Sequence, residues 1–584
     1  MRIALVVFVW LTAAIPAAAQ AAGTMQAGAA TADQPTAEYY FVLGRHLEGE
    51  GQIPQAIDAL KKAIQLAPQT AEPRAELAAL YARQDRAAEA VAAAEDALKV
   101  DARNREANRI LGSMLAALSD ERGRTAAQRE ADQTRAIAAL ELARANAIPD
   151  LSLDLTLARL YMQRDRSADA VPLLRHILDE QPSFDDGWLL LSSALEDSGH
   201  GDEAAQALQQ ALEQKPSLAR ARVQLAELYE HQRKWTQAAD TWAKVQEGNP
   251  RNTTIASRRA SALLNAGKPG DAKSVVAEAL KLQPGDAQLS YLLAQSERDL
   301  GNLDAAETIA RQLRTSRPDD VRGVYLLAQI LESRGRHQEV VDLLKPEIAR
   351  LDGDDQGAQA ALLLDTQGLA LQELQRHDQA IAAFKQAVER APDDSTRHAV
   401  LIQGLVSANH SAEAIAAAEA ARKKFPDDSG ILYQLGAALD KSGRHGDAER
   451  TFRDLIAQDP LDANALNYLG YMFAENATQL DEAVSLIERA LQVEPENPSF
   501  LDSLGWAYVQ QGKFDLADAP LTKAAEKMPK NSVIQEHLGD LRLKQNRPTD
   551  AIAAWKRALE GDGDSIDRGK IQQKINGAVK QTKK

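Results

Sequence analysis

The chain has 584 residues, no cysteine, only 4% aromatic residues and a formal net charge of −16. A chain without cysteine has no disulfide framework, no thiolate zinc site and no cysteine nucleophile. The acidic balance argues against a nucleic-acid-binding groove, which would be basic. Helix-favouring residues, above all Ala with Leu, Glu, Gln and Arg, dominate the sequence. The composition therefore predicts an all-α protein.

The first 19 residues have the features of a secretory signal peptide. Arg2 supplies a positive start, residues 3–11 form an apolar run, and Ala17, Ala18 and Ala19 form a small-residue cleavage site. The alternative is an uncleaved membrane anchor, but the run is shorter than the roughly 20 apolar residues that a span needs. We therefore expect cleavage at Ala19, no integral membrane span, and a periplasmic or, alternatively, extracellular protein.

Residues 20–36 are predicted to form a disordered leader, and a period of 34 residues then runs through the chain. Ten prolines form two series in which every step is 34 residues except one step of 35. The series are Pro182, Pro216, Pro250, Pro284 and Pro318, and then Pro392, Pro426, Pro460, Pro495 and Pro529. Because proline cannot continue a helix, each is predicted to follow a helix end.

Small residues recur at fixed places within this period. With each repeat numbered so that a Leu-Gly pair such as Leu504-Gly505 falls at positions 7 and 8, position 20 is Ala in fourteen of fifteen repeats. These residues are Ala56, Ala90, Ala136, Ala170, Ala204, Ala238, Ala272, Ala306, Val340, Ala380, Ala414, Ala448, Ala483, Ala517 and Ala551. Two helices that pack closely need small residues where they approach, because a bulky one would overpack the contact. Larger residues, such as Tyr508 at position 11 and Phe452 at position 24, are predicted to fill the flanks of this core stripe.

This pattern resembles the tetratricopeptide repeat, a helix-turn-helix unit of 34 residues. The best copy is "PSFLDSLGWAYVQQGKFDLADAPLTKAAEKMP", and the resemblance covers residues 37–559 in about fifteen units. It implies a right-handed α-solenoid whose first helices line a concave face. Repeats that fit poorly suggest three blocks, 37–150, 151–352 and 361–559, with a polar spacer at 353–360 that could flex; a continuous rod is the alternative. Residues 560–584 are predicted to form a capping helix and a Lys-rich tail.

Candidate sites for chemistry have simpler interpretations. Residues 265–273, "NAGKPGDAK", lack the spacing of a phosphate-binding loop, and the loop that begins at Asp352 has Leu363 where calcium needs a bidentate Glu. Four histidines fall at turn positions of consecutive repeats, one repeat apart, which is too far for a shared metal; they are His337, His377, His410 and His445. The sequence predicts no catalytic residue, no cofactor and no metal site, and so no enzyme.

Positions 2, 5, 9 and 12 form a helical stripe away from the core stripe, where aromatic residues are not required for packing. The candidate partner-binding residues there are Tyr291, Tyr325, Tyr433, Asn464, Asn467, Tyr471, Asp502 and Trp506. Tyr and Trp beside amides have the composition of binding hot spots for a protein or peptide. The alternative is that the rings pack against the first helix of the neighbouring repeat.

The predicted function is an exported, non-enzymatic scaffold that binds protein or peptide partners in its concave groove, with the oligomeric state open. "NALNYLGYMFAEN" and "LDSLGWAYV" resemble bacterial envelope repeat proteins, including an adaptor type that serves a carboxy-terminal processing protease. This chain lacks the lipid-anchoring cysteine of that adaptor. Other envelope relatives serve polysaccharide export or secretion, and a carbohydrate-binding solenoid is a further alternative.

Overall fold

A computed structural model describes residues 35–145, 150–351, 353, 356–561 and 566–582. The predicted signal peptide and all but the last two residues of the predicted leader lie outside these ranges. Within them the chain forms thirty-one α-helices and no strand. The helices belong to two compact units, one ending at Ile255 and the other beginning at Ala256.

The first unit contains six repeats, and the last helix that lies wholly within it is α12. Its helices are α1 Ala37–Gly49, α2 Ile53–Leu66, α3 Glu72–Arg83, α4 Ala87–Val100, α5 Arg105–Ser119, α6 Ala126–Arg144, α7 Leu151–Gln163, α8 Ser167–Glu180, α9 Asp185–Asp197, α10 Gly201–Gln214, α11 Ala219–His231 and α12 Trp235–Gly248.

The second unit contains the remaining helices, of which α13 begins just before the boundary. They are α13 Thr253–Asn265, α14 Pro269–Leu282, α15 Ala287–Asp299, α16 Leu303–Ser316, α17 Val321–Ser333, α18 His337–Arg350, α19 Gly357–Glu373, α20 His377–Arg390, α21 Ser395–Ser407, α22 Ser411–Lys424, α23 Ser429–Lys441, α24 His445–Gln458, α25 Ala463–Glu475, α26 Leu480–Val493, α27 Pro498–Gln510, α28 Phe514–Lys527, α29 Ser532–Lys544, α30 Pro548–Glu560 and α31 Arg568–Thr582.

Each unit is an α-solenoid built from helix pairs. The two helices of a repeat pack on each other, as α27 does on α28, and the second helix contacts the first helix of the next repeat, as α28 contacts α29. First helices of adjacent repeats also touch, as α25 touches α27. This stacking buries apolar residues in a series of clusters along each unit, because no single helix pair could bury its own apolar face.

The structure confirms the predicted small residues where the two helices of each repeat approach, a contact that we call the seam. All fifteen residues at position 20 are at most 1% exposed. A Cβ added to Gly436 would lie 2.7 Å from the Phe452 ring, and one added to Gly470 would lie 2.6 Å from Ile487 Cγ1. The glycine therefore makes room for the large side chain at position 24 of the same repeat. At the seam, a small residue of the first helix packs against a large residue of the second helix.

Helix ends and turns also follow the period. Each second helix that precedes one of the ten prolines ends two residues before it, as α28 ends at Lys527 before Pro529. Position 15, in the turn between the two helices of a repeat, has positive φ whether it holds Gly512 or a non-glycine residue such as Arg233. A left-handed residue at this point reverses the chain direction without a longer loop.

Two departures from the period have local structural explanations. The extra residues of the third repeat lengthen α6 to 19 residues, and Thr125 and Gln128 form a capping box that starts this helix. At the other end, α31 covers the last repeat, because Ile571 and Ile575 pack against Trp555 of α30. Such a helix closes an apolar surface that would otherwise face water.

One core prediction is corrected. Tyr508 was expected to be buried in the core stripe, as Tyr81 and Tyr161 are, but it is only half-buried. Its hydroxyl donates to Glu488 Oε1 over 3.1 Å, which draws the ring edge towards solvent. Position 11 of this repeat therefore lies at the margin of the core.

Candidate functional site

The candidate site lies on the first helices α25, α27 and α29, whose neighbours are in contact. It consists of Tyr471 and Glu475 of α25, Asp502 and Trp506 of α27, and His537 of α29. We call these five residues the tryptophan cluster. Tyr471, Asp502 and Trp506 were predicted as groove residues; Glu475 and His537 were not.

The start of each helix is fixed locally, which sets the register of the cluster. The Asp462 side chain caps α25, Asn497 caps α27 with Pro498 in its first turn, and Asn531 caps α29. Each cap accepts backbone N–H groups that have no partner within the helix. The 471/475 and 502/506 pairs are four residues apart, so each pair shares one helical face.

Trp506 is held by contacts from both neighbouring helices. Its ring stacks on the His537 imidazole, with centroids 4.2 Å apart and planes 12° from parallel. Its indole Nε1 donates to Glu475 Oε2 over 3.0 Å. Tyr471 lies four residues before Glu475 on the same face of α25, and the pKa of its phenol is raised by burial first and then by the Glu475 charge. The ring is only partly buried, so it presents a fixed aromatic surface to solvent.

Asp502 and His537 form a buried pair beneath this ring. They are 6% and 7% exposed, and His537 Nδ1 lies 3.0 Å from both carboxylate oxygens. Burial alone would lower the pKa of His537, but the charge and hydrogen bond of Asp502 outweigh it and raise that pKa above its ordinary value. The pair therefore favours an imidazolium–carboxylate contact.

Carboxylates surround the cluster on the side of α29 and α31. Lys574 of α31 donates to Glu536 Oε1 and Asp540 Oδ2, each over 2.7 Å. Burial would lower the pKa of Lys574, yet these two carboxylates raise it. The pKa of Tyr471 is raised by burial first and then by Glu475, Asp502 and Glu536. The phenol therefore lies near three carboxylates, of which Asp502 is paired with His537 and Glu536 with Lys574.

Three other predicted residues stand apart from the cluster. Tyr433 packs edge-on against Phe452 and Tyr468, with centroids 5.6 and 5.5 Å apart, which matches the packing alternative. Asn464 is exposed, and Asn467 is partly buried. The Asn467 Oδ1 atom is buried without a hydrogen-bond partner in the described part of the chain.

The remaining predicted residues, Tyr291 and Tyr325, are half-buried on α15 and α17 and pack against the local core. The Tyr291 hydroxyl accepts from Gln295 Nε2 over 3.3 Å. Arg298 Nη1 of α15 donates to Gln329 Oε1 of α17 over 2.7 Å. We call these five residues the tyrosine surface. Its two tyrosines lie on neighbouring first helices. The same two helices carry the side-chain amides of Gln295 and Gln329 and the guanidinium of Arg298.

The sequence pattern did not predict Glu475 or His537, because they occupy positions 13 and 6. Neither position belongs to the helical stripe of positions 2, 5, 9 and 12. A partial signal was present, since Glu475 follows Tyr471 by four residues and so points from the same face. His537 had no comparable signal. Its contact with Trp506 crosses two repeats and depends on how they stack.

The described residues contain no group of three or more His, Asp or Glu side chains arranged to hold a metal ion. His337 and His445 each contact a carboxylate of their own repeat, Glu332 and Asp440, over 2.9 Å. The predicted turn around Gly267 and Lys268 is present, and α14 begins directly after it. Among the described helices, none combines the length and apolar character needed to cross a membrane.

Models of known protein families match most of the repeats of this chain. Models described as "Tetratricopeptide repeat" match residues 37–70, 155–219, 195–261, 263–330 and 363–394. A model described as "Psidin, N-terminal TPR repeats region" matches residues 397–532, which include α25 and α27.

Three curated proteins are similar in sequence to parts of the chain. TPR repeat-containing protein PA4667 of Pseudomonas aeruginosa is 31% identical over 166 residues, 28% of this chain and 28% of that protein. Cellulose synthase operon protein C of Pseudomonas fluorescens is 26% identical over 301 residues, 49% of this chain and 23% of that protein. A putative cellulose synthase operon protein C of Escherichia coli O157:H7 is 27% identical over 239 residues, 34% of this chain and 20% of that protein. The matches thus span less than a third of each relative.

Proposed function

The chain belongs to the tetratricopeptide-repeat family, and on that premise we propose that it is a non-enzymatic scaffold that binds a protein partner at the tryptophan cluster. Tetratricopeptide repeats are typical of protein-interaction scaffolds. The observation that carries the proposal is the partly exposed Trp506 ring, fixed by Glu475 on one side and His537 on the other.

A fixed aromatic ring suits binding better than a mobile one. Tryptophan and tyrosine are enriched among interface residues that dominate binding energy. Ordering a free side chain costs roughly 0.5–1.5 kcal/mol on association. Because the Trp506 ring is already stacked and hydrogen-bonded, the protein has met that cost before a partner arrives.

We place this scaffold in the cell envelope, on the strength of the signal-peptide features of residues 1–19. Those residues lie outside the described ranges, so the sequence alone supports this part. The prediction is testable by fractionation: the full chain should be recovered from the periplasm with residues 1–19 removed. Recovery with residues 1–19 attached, in the cytoplasmic fraction, would contradict it.

A second candidate function is a component of polysaccharide machinery. It is favoured by the similarity to the two cellulose synthase operon C proteins. The tyrosine surface also offers Tyr291 and Tyr325 beside amide groups, a composition that suits sugar rings as well as peptides. Binding of isolated glycan strands that is lost in Tyr325→Ala and retained in Trp506→Ala would favour this function over the first.

Photo-crosslinking tests the scaffold proposal directly. A photoreactive phenylalanine analogue in place of Asn464, which is exposed on α25, should capture a discrete protein partner in the cells that produce the chain. The matched control places the same analogue at Ser485, exposed on the second helix α26 of the same repeat. Capture at Asn464 that disappears with Trp506→Ala supports the proposal. Equal capture from both positions, or capture unchanged by Trp506→Ala, contradicts it.

A further inference from the structure

The charges of the tryptophan cluster indicate which partner chemistry the surface fits. Positions 5 and 9 of three successive first helices face one another here, and the last of them, α29, carries Glu536 and Asp540. With Glu475 and Asp502, four carboxylates therefore lie near Tyr471 and near His537, on which the Trp506 ring stacks. An aromatic surface within such a field attracts positive charge.

Most of this negative charge is already compensated within the protein. His537 pairs with Asp502 at 3.0 Å, and Lys574 bridges Glu536 and Asp540 at 2.7 Å from each. Glu475 is different, because its hydrogen bond is to the neutral indole of Trp506, and the His537 ring that it faces is already paired with Asp502. Within the described ranges, no cation lies within ion-pair distance of Glu475, and Glu475 is exposed to solvent.

We propose that the tryptophan cluster receives a lysine or arginine side chain of an extended basic segment in the protein partner. The cationic group would meet Glu475, and its aliphatic stem would lie along the exposed part of the Trp506 ring. This inference rests on the proposed scaffold function and adds the chemical class of the partner. A charge-assisted hydrogen bond is about twice as strong as a neutral one. The aliphatic stem of a lysine or arginine can cover apolar surface while its charged group stays at the polar edge.

The buried pair contributes by holding the receiving surface in place. Asp502 and His537 are both nearly inaccessible, so their role is to position the ring that stacks above them. An anionic segment is disfavoured at the same place, because it would bring a further negative charge against Glu475. The surface therefore discriminates by charge as well as by shape.

Labelled peptides of defined charge test the inference. We would measure the fluorescence anisotropy of three fluorescein-labelled peptides of about twelve residues, in which glycine alternates with lysine, glutamate or glutamine. The lysine peptide should bind the wild-type chain at least tenfold more tightly than the other two. Its Kd should rise at least tenfold in Glu475→Gln, which keeps the acceptor for the Trp506 N–H while removing the charge.

The control must separate this site from the general acidity of the chain. Glu278→Gln removes the same charge from an exposed position on the second helix α14 and should change the Kd less than twofold. Trp506→Phe keeps a ring that can stack on His537 and guards against simple unfolding of an alanine variant. It should weaken the lysine peptide less than Glu475→Gln does.

Three results would overturn the inference. They are equal binding of the lysine peptide by Glu475→Gln and wild type, equal binding of the lysine and glutamate peptides, and equal losses in Glu475→Gln and Glu278→Gln. Photo-capture from Asn464 that depends on Trp506 but is unchanged in Glu475→Gln would leave the scaffold standing and refute the cationic partner. Charge-selective peptide binding without any capture from Asn464 would refute the scaffold instead.

Discussion

The tyrosine surface and the tryptophan cluster are both built around positions 5 and 9 of the repeat but have different chemistry. Tyr291 and Tyr325 at position 5 are accompanied by Gln295 and Gln329, and the polar contacts join amides to a phenol or a guanidinium. In the tryptophan cluster, Trp506 at position 9 donates to a carboxylate and covers a buried ion pair.

The two regions show that stacking and recognition are encoded separately. The seam below each surface is built alike, with Ala306 and Ala517 both fully buried at position 20. The groove positions above it differ in their polar groups, although rings such as Tyr325 and Trp506 also pack against the local core. Differences in partner chemistry can therefore arise along one solenoid without a change of fold.

The largest difference between the two regions should appear in partner binding. We expect Trp506→Ala to weaken binding of the photo-captured partner by at least about 2 kcal/mol, as for an aromatic hot spot. Tyr325→Ala should cost less than about 1 kcal/mol, because that ring packs largely against its own core. Titration of both variants with the purified partner measures this. Equal losses would show that binding spreads across both regions.

The seam should respond equally under both surfaces. Ala517→Leu and Ala306→Leu should each lower the free energy of unfolding by about 1–3 kcal/mol, since each inserts bulk into a filled contact. Ala553→Leu, at an exposed position of α30, is the control and should be near neutral. Urea unfolding followed by circular dichroism gives all three values. A neutral Ala517→Leu would refute the small-against-large account of the seam.

The seam could be predicted from the sequence because it depends on contacts within one repeat. Gly505 and Leu521 lie 16 residues apart at positions 8 and 24, and a Cβ added to Gly505 would clash with Leu521 Cγ. The Trp506–His537 stack joins residues 31 apart in different repeats, and its geometry depends on rotamers that a stripe pattern does not specify. The stripe pattern also did not predict that Tyr508 is only half-buried, because it does not specify the hydrogen bond from the Tyr508 hydroxyl to Glu488.

Only the tryptophan cluster should show a histidine-dependent stability. The raised pKa of His537 means that the folded chain holds this proton more tightly than the unfolded chain does. The groups that face His537 are Asp502 and Trp506 of α27, Glu475 and Tyr471 of α25, and Asp540 of its own helix. The stabilisation is complete below the ordinary histidine pKa of about 6.5 and is lost as the pH rises through the raised value.

Asp502→Asn tests this pH dependence. At pH 6 the variant should be less stable than the wild type by about 1.5 kcal/mol, the scale of a hydrogen bond to a charged group. The difference should shrink as the pH rises above about 6.5 and through the raised pKa of His537. Gln329→Ala, in the tyrosine surface, should show a difference from wild type that is constant over the same range. Unfolding curves at several pH values measure both; a difference for Asp502→Asn that grows with pH would refute the ion-pair assignment.

The smallest expected effect separates the hydroxyl groups of the two surfaces. The Tyr291 hydroxyl accepts a 3.3 Å bond from a neutral amide, so Tyr291→Phe should change the free energy of unfolding by less than about 0.5 kcal/mol. The Tyr471 hydroxyl is close enough to the Glu475 carboxylate that this charge, together with burial, raises the pKa of the phenol, so we expect Tyr471→Phe to cost about 1 kcal/mol. That cost should largely vanish when Tyr471→Phe is made in a Glu475→Gln background, because the charged acceptor is then absent. Unfolding of the two single variants and the double variant completes the cycle. If Tyr291→Phe costs as much as Tyr471→Phe, the two surfaces do not differ in the way their hydrogen bonds indicate.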